Sequence, residues 1–191
     1  MWTGPEVNNR SRAVARSSRL TCGMSRGFVR EDDQEEPVFI PQRAPLPPGT
    51  DNLVTPRGLK LLKEERTELE NARTALQTPE GPARRRELAE INGRLALVEE
   101  RIASARPVEP GNRPSDEVRF GATVTFRIIA GPQQGVERTF TLVGVDEARI
   151  AEGRIAFTAP IAQALLGQVP GGTVQFRLGD QVQSIVVIAI R

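Results

Sequence analysis

The 191-residue sequence contains no histidine, no tyrosine and a single cysteine, Cys22. Without an imidazole, a histidine-activated nucleophile cannot form, and the usual zinc-ligand sets are also excluded. One cysteine cannot form an internal disulfide, which favours a reducing compartment. These absences argue against an ordinary hydrolase, and we expect a cytoplasmic protein whose fold needs no metal.

Long apolar runs are missing too, since no stretch of about 18 apolar residues is present to span a bilayer. Residues 1–30 hold six arginines against one glutamate and have no apolar segment of the kind that a secretory signal requires. Residues 31–55 hold six acidic residues and are proline-rich, a composition that buries too little apolar surface to fold. We expect residues 1–53 to be a disordered tail, basic and then acidic and proline-rich, with Met24 as an alternative start.

The next region has the apolar spacing of two helices. Thr55 fits an N-cap and Pro56 a first helical residue. A break around residues 79–82, "PEGP", stops one helix and starts the next. A connection this short predicts an antiparallel coiled-coil hairpin over residues 54–106. The apolar positions that carry this prediction are Leu62, Leu69 and Leu76 before the break, and Leu88, Ile91, Leu95, Val98 and Ile102 after it.

Beyond a linker expected at residues 107–117, apolar and polar residues alternate. "VRFGATVTFRI", "VERTFTLVGV" and "GTVQFRL" predict half-buried strands, and "QVQSIVVIAI" predicts a central strand. Gly179-Asp180 fits a two-residue hairpin turn. One helix is expected from about Pro160 to Leu166. Residues 118–191 are therefore predicted to be a small α+β domain, an antiparallel sheet with one helix.

Two stretches of this domain, "FGATVTFRI" and "VGVDEARIAEGRIAFTAPIAQALLGQVPGGTV", resemble the C-terminal domain of the bacterial GreA/GreB transcript-cleavage factors. "TPRGLKLLKEE" resembles the family's opening helix, so the resemblance covers about residues 54–191. It implies an FKBP-like C-terminal domain that binds the rim of the RNA polymerase secondary channel, with the coiled coil directed toward the catalytic magnesium. The polymerase-binding residues that the resemblance implies are Asp146, Glu147, Pro160 and Ile161.

Some positions depart from the family pattern. Arg149 stands where the family has Asp, and Ala159 replaces the Ser that precedes Pro. Alanine caps a helix less well than serine, by about 1 kcal/mol. We therefore expect binding at the channel rim to be retained with altered strength.

The predicted hairpin tip comprises Glu80, Gly81, Arg84, Arg85 and Arg86. In the Gre family that this sequence resembles, an Asp and a Glu in a D-x-x-E type motif stimulate cleavage beside the polymerase magnesium. Carboxylates suit that task because hard cations take oxygen ligands. Here Glu80 is the tip's acid, and no aspartate occurs between Asn52 and Ser115. The arms are also several turns shorter than the usual Gre arm, which makes short-armed relatives of the Rnk kind the nearer match.

Two interpretations of the arginine run remain open: contact with phosphate or an acidic channel wall, and a solvated face partly paired with Glu80 and Glu87. The leading hypothesis is a monomeric regulator that is not an enzyme and needs no cofactor. It binds bacterial RNA polymerase core at the secondary channel and reaches nucleic acid only through the polymerase, without a membrane partner. One alternative is an active cleavage factor using Glu80. The other is an adaptor outside transcription, with Leu59 and Leu62 marking an exposed apolar seam.

Overall fold

The computed structural model describes residues 38–109, 116–131 and 133–191, so most of the predicted tail lies outside the described residues. Within these ranges the chain forms a helical hairpin at its N-terminal side and a sheet with one helix at its C-terminal side. The described elements are β1 (Asn52–Val54), α1 (Pro56–Thr74), α2 (Pro82–Ser104), β2 (Ala105–Pro107), β3 (Thr123–Ala130), β4 (Glu137–Val143), a 3-10 helix (Ile150–Glu152), β5 (Arg154–Ala156), α3 (Pro160–Leu165), β6 (Thr173–Leu178) and β7 (Gln181–Ile190).

The helix α1 begins as the sequence predicts. Thr55 is the N-cap, its Oγ1 accepting a hydrogen bond from the Gly58 N–H at 2.9 Å, and Pro56 follows at the first position. The helix ends at Thr74, so Leu76 lies in the loop rather than in a third leucine turn. The seven-residue spacing of leucines, which continues to Leu76, therefore predicted a longer first helix than the structure has.

The two helices run antiparallel. The strand β1 precedes α1, β2 follows α2, and these strands pair with Asn52 opposite Ala105, which places the start of one helix beside the end of the other. The seam between the helices buries apolar side chains, as a two-helix unit in water requires. Its buried members are Leu62, Leu69, Leu95, Val98 and Val54, with Leu59, Ile91, Ile102 and Ala105 packed around them.

Residues 38–53, which we expected to belong to the disordered tail, have specific partners. Asn52 is 4% exposed, and its Nδ2 donates to the Arg101 carbonyl at 2.9 Å and to Ser104 Oγ at 3.1 Å. The Asn52 side chain thus satisfies a carbonyl in the last turn of α2, where intrahelical partners run out. The tail prediction is wrong for this stretch because its polar side chains are bound by helix ends and charges far along the sequence.

The C-terminal sheet has the strand order β5-β4-β3-β7-β6, with β7 in an interior position as predicted. Leu178 pairs with Gln181, which confirms the tight turn at Gly179-Asp180. The core lies between the sheet and α3. Its buried residues are Val118, Val124, Phe126, Ile128, Phe140, Leu142, Ile155, Ala162, Leu165, Phe176, Ile185 and Val187.

Two details of this sheet differ from the sequence prediction. The strand β3 begins at Thr123, not at Val118, because Gly121 adopts a φ of +85° and turns the chain. The sheet is mixed rather than antiparallel, since β5 pairs in parallel with β4. The connection over residues 144–153 carries the 3-10 helix and acts as a crossover, which a parallel pair requires.

Candidate functional site

The loop at the hairpin tip, residues 75–81, is held by two side chains from the first turns of α2. Arg84 Nη1 donates to the carbonyl oxygens of Leu76 and Thr78, at 3.2 Å and 2.7 Å. Thr78 Oγ1 in turn donates to Glu87 Oε2 at 2.6 Å. The loop is therefore folded back onto α2 by hydrogen bonds to charged groups, which are stronger than neutral ones.

These contacts divide the predicted tip residues into two groups. Arg84 is half-buried and holds the loop, whereas Arg85, Arg86 and Glu80 are exposed. Gly81 caps α2 without a side chain and leads into Pro82, its first residue. Of the three arginines, the first therefore has a structural role that the sequence did not reveal, and the exposed ones remain the candidates for contacting a partner.

At the opposite end of the hairpin, Asp146 forms ion pairs with two arginines. Arg43 Nε donates to Asp146 Oδ1 at 2.9 Å, and Arg101 Nε lies 3.2 Å from Oδ2 without hydrogen-bond geometry. The Asp146 side chain is 10% exposed. In the free chain this carboxylate thus joins the C-terminal domain to α2 and to the segment that precedes β1.

Glu147 makes a second connection at the hairpin base. Its Oε2 accepts a short hydrogen bond from Thr55 Oγ1, the N-cap of α1, and Arg57 Nε lies 3.9 Å from its Oε1. A Cβ atom on Gly58 would lie 2.9 Å from Glu147 Oε2, so glycine at this position admits the carboxylate. Glu147 is 4% exposed and is the anchor of the C-terminal domain on the first turn of α1.

Arg43 sits at the centre of the charge cluster. Its Nη1 and Nη2 each donate to one carboxylate oxygen of Glu65, both at 3.0 Å, while Nε binds Asp146. Burial by itself lowers the pKa of Arg43, but the hydrogen bonds that Arg43 donates to Glu65 and the charge of Asp146 outweigh it, so the pKa is raised overall. The guanidinium therefore stays charged and keeps both carboxylates paired.

The other two predicted contact residues lie at the start of α3. Pro160 is exposed, whereas Ile161 is half-buried and packs against the core of the C-terminal domain. Ala159, the N-cap residue, makes no side-chain capping hydrogen bond. The structure therefore does not bring these residues together with Asp146 and Glu147 into a single exposed cluster, since both carboxylates have partners in the hairpin.

Sequence comparison gives the family. A family model described as "Transcription elongation factor, GreA/GreB, C-term" matches residues 113–191. The chain is 31% identical over 153 residues to the transcription elongation factor GreA of Brucella canis, a match that covers 72% of this chain and 96% of that protein. The chain belongs to the GreA/GreB family. The GreA of Acidiphilium cryptum is 38% identical over 101 residues, 53% of this chain, and the match spans 62% of that relative, less than two thirds of its length.

The Brucella match also bears on the length of this GreA/GreB-family chain. Since 72% of 191 residues is about 138, fewer than the 153 aligned positions, the relative has residues without a counterpart here.

Among solved structures, Thermus aquaticus Gfh1 is 23% identical, with 73% of this chain and 99% of that chain covered and a TM-score of 0.35. GreA/GreB from Nitrosomonas europaea is 24% identical, with coverage of 72% and 97% and a TM-score of 0.34. At TM-scores this low the likeness supports no argument.

The sequence motif does not reveal the partners of the two carboxylates at the hairpin base. Asp146 and Glu147 stand out in the sequence, whereas the residues that bind them, Arg43, Arg101 and Thr55, are at least 45 positions away and carry no local signal.

The seam expected at Leu59 and Leu62 is not exposed, because Leu62 is 2% exposed and Leu59 packs against the hairpin core.

Two other kinds of feature are absent from the part of the chain that the structure describes. No described helix is long and apolar enough to cross a membrane. Among the same residues, no group of three or more His, Cys, Asp or Glu side chains is placed to hold a metal ion.

Proposed function

We propose that this protein binds bacterial RNA polymerase core and regulates transcription elongation at the secondary channel, without strong stimulation of transcript cleavage. Family membership and the two-part architecture support this proposal, with a hairpin to enter the channel and a C-terminal domain to bind its rim. Binding to nucleic acid is indirect, through the polymerase, and the active unit is a monomer.

The tip carries the central observation, since it presents one free carboxylate. Glu80 is exposed immediately before α2, while the next acidic residue along the chain, Glu87, accepts a hydrogen bond from Thr78. Two carboxylates would be needed to hold a second metal and orient an attacking water. A single glutamate beside exposed arginines suits occupancy of a channel better than catalysis in it.

The reach of the hairpin supports the same conclusion. The helices contain 19 and 23 residues, or about 28 Å and 34 Å at 1.5 Å per residue. Each helical turn missing from an arm withdraws the tip by about 5 Å. The unmatched residues of the Brucella relative are consistent with a shorter arm in this chain, of the Rnk kind, although the Rnk likeness rests on the resemblance alone.

The contact surface on the C-terminal domain is proposed to centre on Pro160, which is exposed, with Ile161 beside it. Asp146 and Glu147 act on polymerase binding through the hairpin they hold, because their carboxylates are already bound within the chain. A substitution at Pro160 that preserves the fold is therefore expected to weaken binding without moving the hairpin.

The test combines binding with cleavage. Immobilised protein is first used to capture purified bacterial core polymerase, with Glu80→Ala as a variant that retains capture. Backtracked elongation complexes are then incubated with saturating wild type or Glu80→Ala, and a GreA factor serves as the positive control. We expect capture, no acceleration of cleavage by either protein, and reduced cleavage by GreA when the wild type is added as a competitor.

Two results would replace this proposal with one of its alternatives. Accelerated cleavage that Glu80→Ala abolishes would identify an active cleavage factor. Failure to capture polymerase would remove the elongation role and leave the hairpin as an adaptor for another partner.

A further inference from the structure

Residues 38–50, which we call the strap, touch three separate parts of the molecule. Ile40 lies against Gly93 on α2, and Arg43 binds Glu65 on α1. Arg43 also binds Asp146 of the C-terminal domain, the third part. A segment with partners on both helices and on the other domain can restrict movement between them.

The contact at Gly93 shows that α2 is shaped for the strap. A Cβ atom at this position would lie 2.1 Å from Ile40 Cδ1 and 2.8 Å from Ile40 Cγ1. Glycine weakens the interior of a helix relative to alanine. Its presence in the middle of α2 is explained by the isoleucine, which occupies the space that a side chain would fill.

The contacts of Arg43 use the geometry of a guanidinium. Two nitrogens form parallel hydrogen bonds to Glu65, and Nε points to Asp146 Oδ1 at 2.9 Å. The Arg43 side chain is 18% exposed, so solvent screens these bonds less than it screens surface ion pairs. Arg101 Nη2 adds a hydrogen bond of 2.6 Å to the Ala44 carbonyl, which fixes the strap to α2 at a second point.

We propose that the strap fixes the direction of the hairpin relative to the C-terminal domain, with Arg43 as its positioning residue. The effect at the tip is amplified by the length of the rod, because a rotation of about 10° at the base moves the end of a rod of about 30 Å by about 5 Å. The consequence for channel insertion rests on the proposed function, whereas the positioning itself is a property of the free chain.

Distance measurement between two spin labels tests this directly on the full-length protein. Cys22→Ser removes the native thiol, and labels are attached at Ala83→Cys near the tip and at Gln175→Cys on β6, both exposed positions. We expect a narrow distance distribution for this parent and at least a doubling of its width for Arg43→Gln. Arg127→Gln is the matched control, because it removes an exposed arginine–glutamate pair within the sheet.

An unchanged distribution in folded Arg43→Gln would overturn the proposal. If that variant does not fold, as judged by circular dichroism, Ile40→Ala is measured in its place, and an unchanged width there has the same meaning. Loss of thermal stability alone, without a broader distribution, would also overturn it, since a purely structural role predicts that result.

Polymerase capture by the same variants separates the two proposals. Arg43→Gln is expected to weaken capture several-fold, and Arg127→Gln to leave it unchanged. A broader distance distribution together with no capture by any protein, the parent included, would sustain the strap and refute the polymerase-binding function. A broader distribution together with unchanged capture would sustain the strap and refute its link to channel insertion.

Discussion

The contact between Thr55 and Glu147 provides the sharpest test of how the hairpin is attached to the C-terminal domain. The Thr55 hydroxyl donates to Glu147 Oε2 and accepts from the Gly58 N–H at 2.9 Å. Both side chains are buried, with exposed fractions of 6% and 4%. Thr55→Ala removes the helix cap and the hydrogen bond together, whereas Glu147→Ala removes the hydrogen bond and leaves the cap in place.

The magnitude follows from these partners. Loss of an N-cap costs about 1 kcal/mol, and loss of a hydrogen bond to a charged group costs about 1.5 to 3 kcal/mol. Thr55→Ala should therefore lower the free energy of unfolding by about 3 kcal/mol, which is about 6 to 12 °C in Tm for a chain of this size. Arg57 adds little, because it lies 3.9 Å from Glu147 and its side chain is 59% exposed.

The assay is a double-mutant cycle of urea unfolding on the wild type, Thr55→Ala, Glu147→Ala and the double variant, at fixed pH and salt. We expect a coupling energy of about 1.5 to 3 kcal/mol between the two positions. Additive effects within about 0.5 kcal/mol would refute the contact. Loss of polymerase capture in Glu147→Ala without any loss of stability would instead assign Glu147 a direct contact with polymerase.

Three further predictions concern the hairpin. Leu62→Ala, in the buried seam, should lower the free energy of unfolding in urea by about 3 kcal/mol, whereas Leu61→Ala, at an exposed position, should lower it by less than about 0.5 kcal/mol. Similar losses for the two variants would contradict the assigned seam. Arg84→Ala should speed amide hydrogen exchange in the tip loop about tenfold while Arg86→Ala does not, and equal exchange rates would argue against a loop held by Arg84. Gln77→Asp places an aspartate three residues before Glu80 at the tip. Cleavage of backtracked transcripts should still not be stimulated, because the short arm limits how far the tip reaches. Stimulated cleavage by this variant would show that the missing carboxylate alone explains why the wild type does not stimulate cleavage.

Local signals were sufficient to predict the helices and most strands. The cap at Thr55 and the spacing of Leu62 and Leu69 identified α1, because a cap and an amphipathic stripe depend on neighbours along one element. The end of α1 was placed too late, since Leu76 continues the spacing while its carbonyl is bound by Arg84 in the loop. The strand β5 was missed because three residues pairing in parallel with β4 have no alternation long enough to detect.

The long-range contacts at the hairpin base could not be predicted from the sequence. The motif drew attention to Asp146 and Glu147, but their arginine and threonine partners depend on the packed structure. The contacts of Arg43 span 22 and 103 positions of sequence, and its segment has the composition of a tail. Proline-rich composition indicates that a segment cannot form its own core, but it does not exclude binding to a surface built by other elements.

Cleavage of backtracked transcripts shows whether the protein binds polymerase without stimulating cleavage. Elongation complexes are saturated with the protein, as verified by capture of the polymerase, and the rate of cleavage is measured for the wild type, Glu80→Ala and a GreA control. We predict that the wild type binds, leaves the intrinsic cleavage rate unchanged and gives the same rate as Glu80→Ala. A wild-type rate well above the intrinsic rate that falls back in Glu80→Ala would contradict it.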